Sequence, residues 1–384
     1  MRKKVLMFAG PVHPNPPFKG AAVETWMYET SKRLVTFEPH IISIGNPFYR
    51  EKEYTDDIYF QRINFSKIYK RIFQKMTKLD PLSYPKRILK IINEIKPDII
   101  HAHNTVKWFL PVIKNIDRKI KKIIHFHNEI FISSYFEVDA FIGCSNYIVD
   151  IYRKNQNIKA KYFKCLYNGV DSLKFKPFWE IPEIRKSIRK RLKIKDKDFV
   201  VLFVGRISPE KGVEHFIKTA INLKDIENAK LIVIGEIAKG GERFEYAQKI
   251  FELAKPLGEK IIFTDVFPPS KMHLIYLLGD VIFLPSEFEE PFGMTALEAM
   301  STGLPVITRA KGGLKEYIQH GINGFFVNED NLIKDATDII KTLMINKDLK
   351  EKIGIEGRKT SEKFDWLYIT EELETFYNEL FEND

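Results

Sequence analysis

Two stretches of the chain place ionisable residues where a phosphorylated ligand would need them. In the first, Gly205-Arg206 and Lys211-Gly212 bound a short turn between an apolar run and a helical pattern carrying Val213, Phe216, Ile217 and Ala220. Backbone N–H groups at a helix start favour anions, and the arginine adds a fork of donors while the lysine adds a point charge, so the turn suits a pyrophosphate. It is neither a G-x-x-x-x-G-K-[ST] loop nor a G-x-G-x-x-G loop. In the second, an acidic loop with Glu287, Glu289 and Glu290 runs through Pro291-Phe292-Gly293 into a helix. Proline is favoured at such a start because its missing N–H would have been unpaired there. Glu298 follows Glu290 by eight residues, a rise of about 12 Å along a helix, which suits two polyol groups on either side of a diphosphate. The N–H groups of Phe292, Gly293 and Met294 are expected to face the same ligand. Acidic residues at a helix start also complement its dipole, which explains Glu287, Glu289 and Glu290 equally well. It explains Glu298 poorly, because Glu298 lies among Ala296, Leu297, Ala299 and Met300 and is expected to be partly buried.

The elements that position these residues are short apolar runs alternating with helical patterns. Runs at 4–9, 40–44, 98–102, 122–126 and 139–143 read as buried strands of a first half, and runs at 199–204, 230–234, 260–263, 280–284, 304–307 and 324–327 as those of a second. Continuous apolar strands separated by helices indicate parallel sheets covered on both faces. Each half opens with a strand and a glycine-containing turn, Ala9-Gly10-Pro11 and Val204-Gly205-Arg206, the layout of two doubly wound α/β domains. The linker falls around 171–198, where the basic helical run 183–193 reads as a solvated face and Asp196 and Asp198 as surface. His127 closes a strand from Lys122 to Phe126, so it is expected to project from a strand carboxyl end toward a ligand. One imidazole of the His125/His127 pair is expected on each sheet face. His101, His103 and His125 read as satisfied polar groups of the core, with His103 a second candidate.

Composition narrows the class further. The 384 residues are 44% hydrophobic and 29% charged, ordinary globular values that exclude a disordered chain or a fibre. Residues 1–175 hold 30 Lys/Arg against 16 Asp/Glu, a balance of +14, and the remainder holds 31 against 35, a balance of −4. That division suggests two domains meeting different partners. Two cysteines, Cys144 and Cys165, make no disulfide framework and no C-x-x-C pair, which fits a reducing interior. The apolar run after Met1 is too short for a signal peptide, and no window approaches a membrane span.

The G-R-x-x-x-x-K-G turn and the E-x7-E segment with its P-F-G and L-E-A-M, in this order and spacing, resemble the family 4 retaining glycosyltransferases. Further landmarks agree: Gly20 to Glu24 is similar to the first-domain glycine loop, Pro97 to His103 to the P-D-x-x-H-x-H strand, and Ile124 to Glu129 to the strand ending in the active-site histidine. Ser145, Asn168-Gly169 with Asp171, and Gly312-Gly313 with Glu316 match later positions. The His-Asn-Glu version of the histidine strand is similar to members associated with the bacterial spore coat.

The resemblance implies the GT-B fold, two Rossmann-like doubly wound domains facing each other across a cleft. It implies an acceptor domain at 1–175, a nucleotide-sugar domain at 176–364, and a terminal helix at 365–384 packing back on the first. By the same resemblance Arg206 and Lys211, with Gly20, bind the donor pyrophosphate, Glu298 the ribose and Glu290 the sugar 3-hydroxyl. Phe292, Gly293 and Met294 supply backbone contacts, His127 acts in catalysis, and Val266-Phe267 lies near the base of a default UDP donor. Ala21 stands where the family has a second glycine. Neither a cofactor nor a metal is expected, and Asp196-Lys197-Asp198 is not read as a metal-binding D-x-D.

The expected acceptor is a glycan, a lipid-linked sugar or a surface polymer, and the expected location is cytoplasmic, at the inner face of the membrane. Residues 61–96, with ten Lys/Arg and two acids, read as a basic amphipathic segment suited either to an anionic bilayer or to packing on its own sheet. No nucleic-acid reader module is present. A nucleotide-sugar 2-epimerase of the same fold and a non-catalytic coat protein are the alternatives.

Overall fold

The computed structural model describes residues 2–18, 20–66, 69, 80–237, 240–265 and 267–382. The chain divides into two compact units, Met1–Gly169 with Trp366–Asp384, and Val170–Asp365. The division falls at Gly169, not at 175. Val170 N–H bonds to the Phe364 carbonyl at 2.8 Å, Ser172 N–H to the Asp365 carboxylate at 2.9 Å, and Arg358 Nη1 to the Phe175 carbonyl at 2.8 Å, which ties 170–175 to the second unit.

In the first unit the strands are β1 (Lys3–Ala9), β2 (Phe37–Ile44), β3 (Lys52–Thr55), β4 (Ile58–Ile63), β5 (Ile99–His103), β6 (Lys121–Phe126), β7 (Phe136–Gly143) and β8 (Ile158–Cys165). They form one sheet in the order β3-β4-β2-β1-β5-β6-β7-β8, parallel except for the β3/β4 pair. Three of these strands escape a search for continuous apolar runs. β3 and β4 form a hairpin whose two turn residues, Asp56 and Asp57, have φ of 53° and 58°, a mirror-image turn made without its usual glycine. β8 is an edge strand interrupted by Lys159, Lys161 and Lys164, and charge at an edge discourages pairing with other chains.

The second unit holds β9 (Phe199–Val204), β10 (Ala229–Ile234), β11 (Ile261–Thr264), β12 (Val281–Leu284), β13 (Val306–Arg309) and β14 (Phe325–Val327) in the order β11-β10-β9-β12-β13-β14, all parallel. Its core packs Val201, Phe203, Leu231, Val233 and Phe283 against Phe216, Ile217, Ile250 and Ile340. The two-residue spacing along β9 and β10 puts one set of side chains on one face. In each sheet the strand order reverses beside the unit's first strand, between β1 and β5 and between β9 and β12. Loops leaving the carboxyl ends of such a pair open a ligand crevice.

The basic run 183–193 forms the helix Pro182–Arg191, but it is not simply a solvated face. Arg185 Nη2 and Arg189 Nη1 reach the buried Asp280 carboxylate at 2.8 and 3.0 Å. Asp198 is also buried rather than on the surface, because its carboxylate accepts the Lys195 N–H at 2.8 Å where the chain enters β9. Of the basic amphipathic segment expected at 61–96, residues 67–68 and 70–79 lie outside the described residues. Among the described residues no helix is long and apolar enough to cross a membrane.

Candidate active site

In the second unit the loops after β9 and β12 bring two of the expected residues into direct contact. Lys211 Nζ donates to Glu290 Oε1 at 2.7 Å, the Ser286 hydroxyl donates to the same oxygen at 2.6 Å, and the lysine lies 4.6 Å from the Phe288 ring centre. Backbone joins the loops as well, since Glu287 N–H donates to the Glu210 carbonyl at 2.9 Å. Arg206 stands apart, half-exposed, with Glu210 3.6 Å away. The structure therefore holds the carboxylate expected at a sugar hydroxyl against the ammonium expected at a phosphate. Arg206 is left on the accessible side of the turn.

Glycine geometry fixes the rest of this loop. Gly313 N–H donates to the Glu290 carbonyl at 2.8 Å, and Gly312, at φ 52°, approaches so closely that a Cβ would lie 2.2 Å from that carbonyl oxygen. Gly293, at φ 90°, precedes the helix Met294–Ser301, which has no side-chain cap. Tyr317 donates its hydroxyl to the Gly293 carbonyl at 2.9 Å, and the buried Phe292 ring packs 5.2 Å from the Tyr317 ring. A helix N-terminus fixed in this way presents its partial positive charge to an anion or a hydroxyl.

Glu298 lies on the same helix and is partly buried, with Tyr276 donating its hydroxyl to Oε2 at 2.6 Å. Burial pushes its carboxyl up to about 7, against the opposing effects of the Tyr276 hydrogen bond and the Lys174 charge. Tyr276, at the end of the helix Met272–Tyr276, has no signal in the sequence beyond its apolar surroundings. Ser286 lies inside the acidic motif, where a serine four residues before Glu290 marks it only in hindsight. Phe267 is partly buried in the loop after β11, and Val266 lies outside the described residues.

In the first unit Gly20 sits in the loop after β1, with nothing within 4 Å of the place a Cβ would occupy. Ala21 has φ −143°, extended backbone that any residue adopts. His127 differs from expectation. It is 4% exposed, and both ring nitrogens are engaged: Nδ1 lies 3.1 Å from Asn168 Oδ1 and Nε2 3.1 Å from His103 Nδ1. With the amide oxygen as acceptor, the hydrogen is assigned to His127 Nδ1, and His127 Nε2 accepts from His103. Burial lowers the His127 pKa to about 4, so the ring is neutral. The His127 backbone N–H donates to Asn104 Oδ1 at 2.8 Å.

His125 and His127 do not face opposite sides of the sheet. Residues two apart on a strand share a face, and the two rings stack with centres 4.0 Å apart. Nor are the neighbouring histidines satisfied core groups. His101 Nε2, His103 Nε2 and both nitrogens of His125 are buried with no partner among the described residues.

Two family models match the chain, Glycosyltransferase Family 4 over residues 23–172 and Glycosyl transferases group 1 over 184–360. A lipopolysaccharide 1,2-N-acetylglucosaminetransferase of Salmonella typhimurium is 34% identical over 352 residues, covering 87% of this chain and 88% of that protein. Spore coat protein SA of Bacillus subtilis is 24% identical, covering 97% and 99%. Among solved structures, Anabaena Alr3699/HepE in complex with UDP and glucose superposes with a TM-score of 0.77 at 20% identity, covering 97% and 99%. Two Rossmann-like units of largely parallel sheet define the GT-B fold. The chain belongs to glycosyltransferase family 4 and is an enzyme that moves a sugar from a nucleotide-sugar to an acceptor.

Proposed function

We propose that the enzyme transfers a hexose or N-acetylhexosamine from a UDP-sugar to a growing cell-surface glycan, with retention at the anomeric carbon and without a catalytic metal. The observation that carries the reading is the Lys211–Glu290 pair at 2.7 Å. A donor diphosphate would take the ammonium, releasing Glu290 to hold a sugar hydroxyl. Arg206 would add its fork on the phosphate, and Glu298 would bind the ribose. The Salmonella relative named for N-acetylglucosamine transfer and the UDP and glucose held by the Anabaena protein support the donor class.

In the transfer the C1–O bond to the β-phosphate breaks and the acceptor oxygen bonds to C1 on the same face, its proton passing to the leaving phosphate oxygen. Cations and a helix N-terminus aimed at the developing phosphate charge stabilise that step. The basic balance of residues 1–175 supports an anionic or lipid-linked acceptor at the cytoplasmic membrane face.

The test is nucleotide release from a panel of UDP-, GDP- and ADP-sugars, followed by NMR of the product anomer. UDP release and a retained anomer are expected. Lys211→Ala and Glu298→Ala should each lower kcat/KM by about 10²-fold. An inverted product ends the retaining mechanism, and unchanged kinetics in both variants remove the site assignment.

A further inference from the structure

We propose that His101, His103 and His125 form a buried binding site for a late first-row transition-metal ion of the zinc class, inside the first unit. The strand register brings the three together. His103 lies opposite His125 in the β5/β6 pair, and His101 precedes His103 by two residues, on the same face. One nitrogen from each lies within 4.8 Å of the others, and all three residues are fully buried.

Four ring nitrogens of this trio have no partner among the described residues. Buried polar atoms are nearly always paired, so several together in one place call for a ligand. Aliphatic side chains would fill the same volume without that cost.

The outer contacts are those of ligating histidines. Tyr377 hydroxyl lies 2.6 Å from His101 Nδ1, and His103 Nδ1 lies 3.1 Å from His127 Nε2, which Asn168 backs in turn. Each contact occupies Nδ1 and leaves Nε2 without a partner among the described residues, as a second layer does for metal-bound imidazoles. With the His101 hydrogen on Nδ1, the Tyr377 oxygen accepts it and the Nε2 lone pair is available. Tetrahedral zinc with nitrogen ligands at 2.0–2.1 Å sets their spacing near about 3.4 Å, so each ring would close inward by less than about 1 Å. The rings stand 15–38° from parallel, and closure therefore includes a tilt of each imidazole. The set contains no carboxylate, which leaves the fourth position to water or a small anion and favours imidazole-preferring ions over calcium or magnesium.

The Trp26 ring covers the trio, its centre 5.5, 5.1 and 4.7 Å from His101, His103 and His125. It is therefore a reporter for a paramagnetic ion. The full chain is unfolded in chelator, refolded with Co2+ and desalted, and its bound cobalt, visible spectrum and tryptophan emission are measured. Expected are one tightly held Co2+ per chain, the intense visible bands of four-coordinate cobalt, and quenching that is largely lost in Trp26→Phe. His125→Gln, which removes a ring with no hydrogen-bond partner among the described residues, should abolish all three signals while leaving the circular dichroism unchanged. Absence of stoichiometric cobalt in the wild type overturns the site. So does uptake that persists in a folded His125→Gln protein, or quenching that survives Trp26→Phe, the control that decides if His125→Gln does not fold.

Discussion

Glu298 carries a carboxyl raised to about 7 by burial, which makes its ionisation a working variable of the site. In the ribose-binding role proposed for it, the protonated form below that value would offer one acceptor fewer, and the carboxylate above it would accept from both hydroxyls. Donor KM is therefore expected to rise as pH falls through about 7, and the step should vanish in Glu298→Gln. A pH series of initial rates at varied donor checks this. The same shift means that the ligand-free fold gains from the protonated form, a gain present below the ordinary carboxylate range and lost as pH rises through about 7. The sequence singles out Arg206, Lys211, Glu290 and Glu298 by type and spacing, and the structure brings Lys211 and Glu290 into contact. Contacts between distant residues were not legible in the sequence. Tyr276 on Glu298 and His103 on His127 depend on packing that spacing does not encode, and the pairing of Lys211 with Glu290 depends on how two loops meet.

At the scale of elements, the helix Pro182–Arg191 is joined to its sheet through one carboxylate. Asp280 accepts from Arg185, Arg189 and Lys350 at 2.8, 3.0 and 3.2 Å, and from the Val200 N–H at 2.9 Å. Burial would raise its pKa, but the three cations hold it below the usual carboxylate range. Asp280→Asn leaves buried arginines without a counter-charge and is expected to cost about 3–5 kcal/mol, read as a lower denaturant midpoint. In the wild type this contribution is present above the ordinary carboxylate range and fades as pH falls through the lowered value. The sequence shows a basic run here, and a run alone cannot tell which cations turn inward. Apolar strands such as β9 were legible as continuous runs. The edge strand β8 was not, because lysines interrupt it, and the β3/β4 hairpin was not, because aspartates replaced its expected glycine.

At the scale of the whole molecule, the first unit is built from two distant parts of the chain. Trp366, Ile369, Leu373, Phe376, Tyr377 and Leu380 of the helix Trp366–Glu382 pack into the same core as Val5, Trp26 and Ile99. Leu373 is fully buried, and Leu373→Ala is expected to destabilise that unit by about 2–5 kcal/mol, seen as a lowered melting transition. The second unit's sequence, by contrast, is unbroken from Val170 to Asp365. During synthesis the ribosome delivers that whole stretch before the helix that finishes the earlier unit, an interval of about 10–40 s at typical elongation rates. The portion made first thus waits with part of its apolar face uncovered while the portion made second folds. In the cell, chaperones that shield nascent apolar surface would meet this chain chiefly through its N-terminal half.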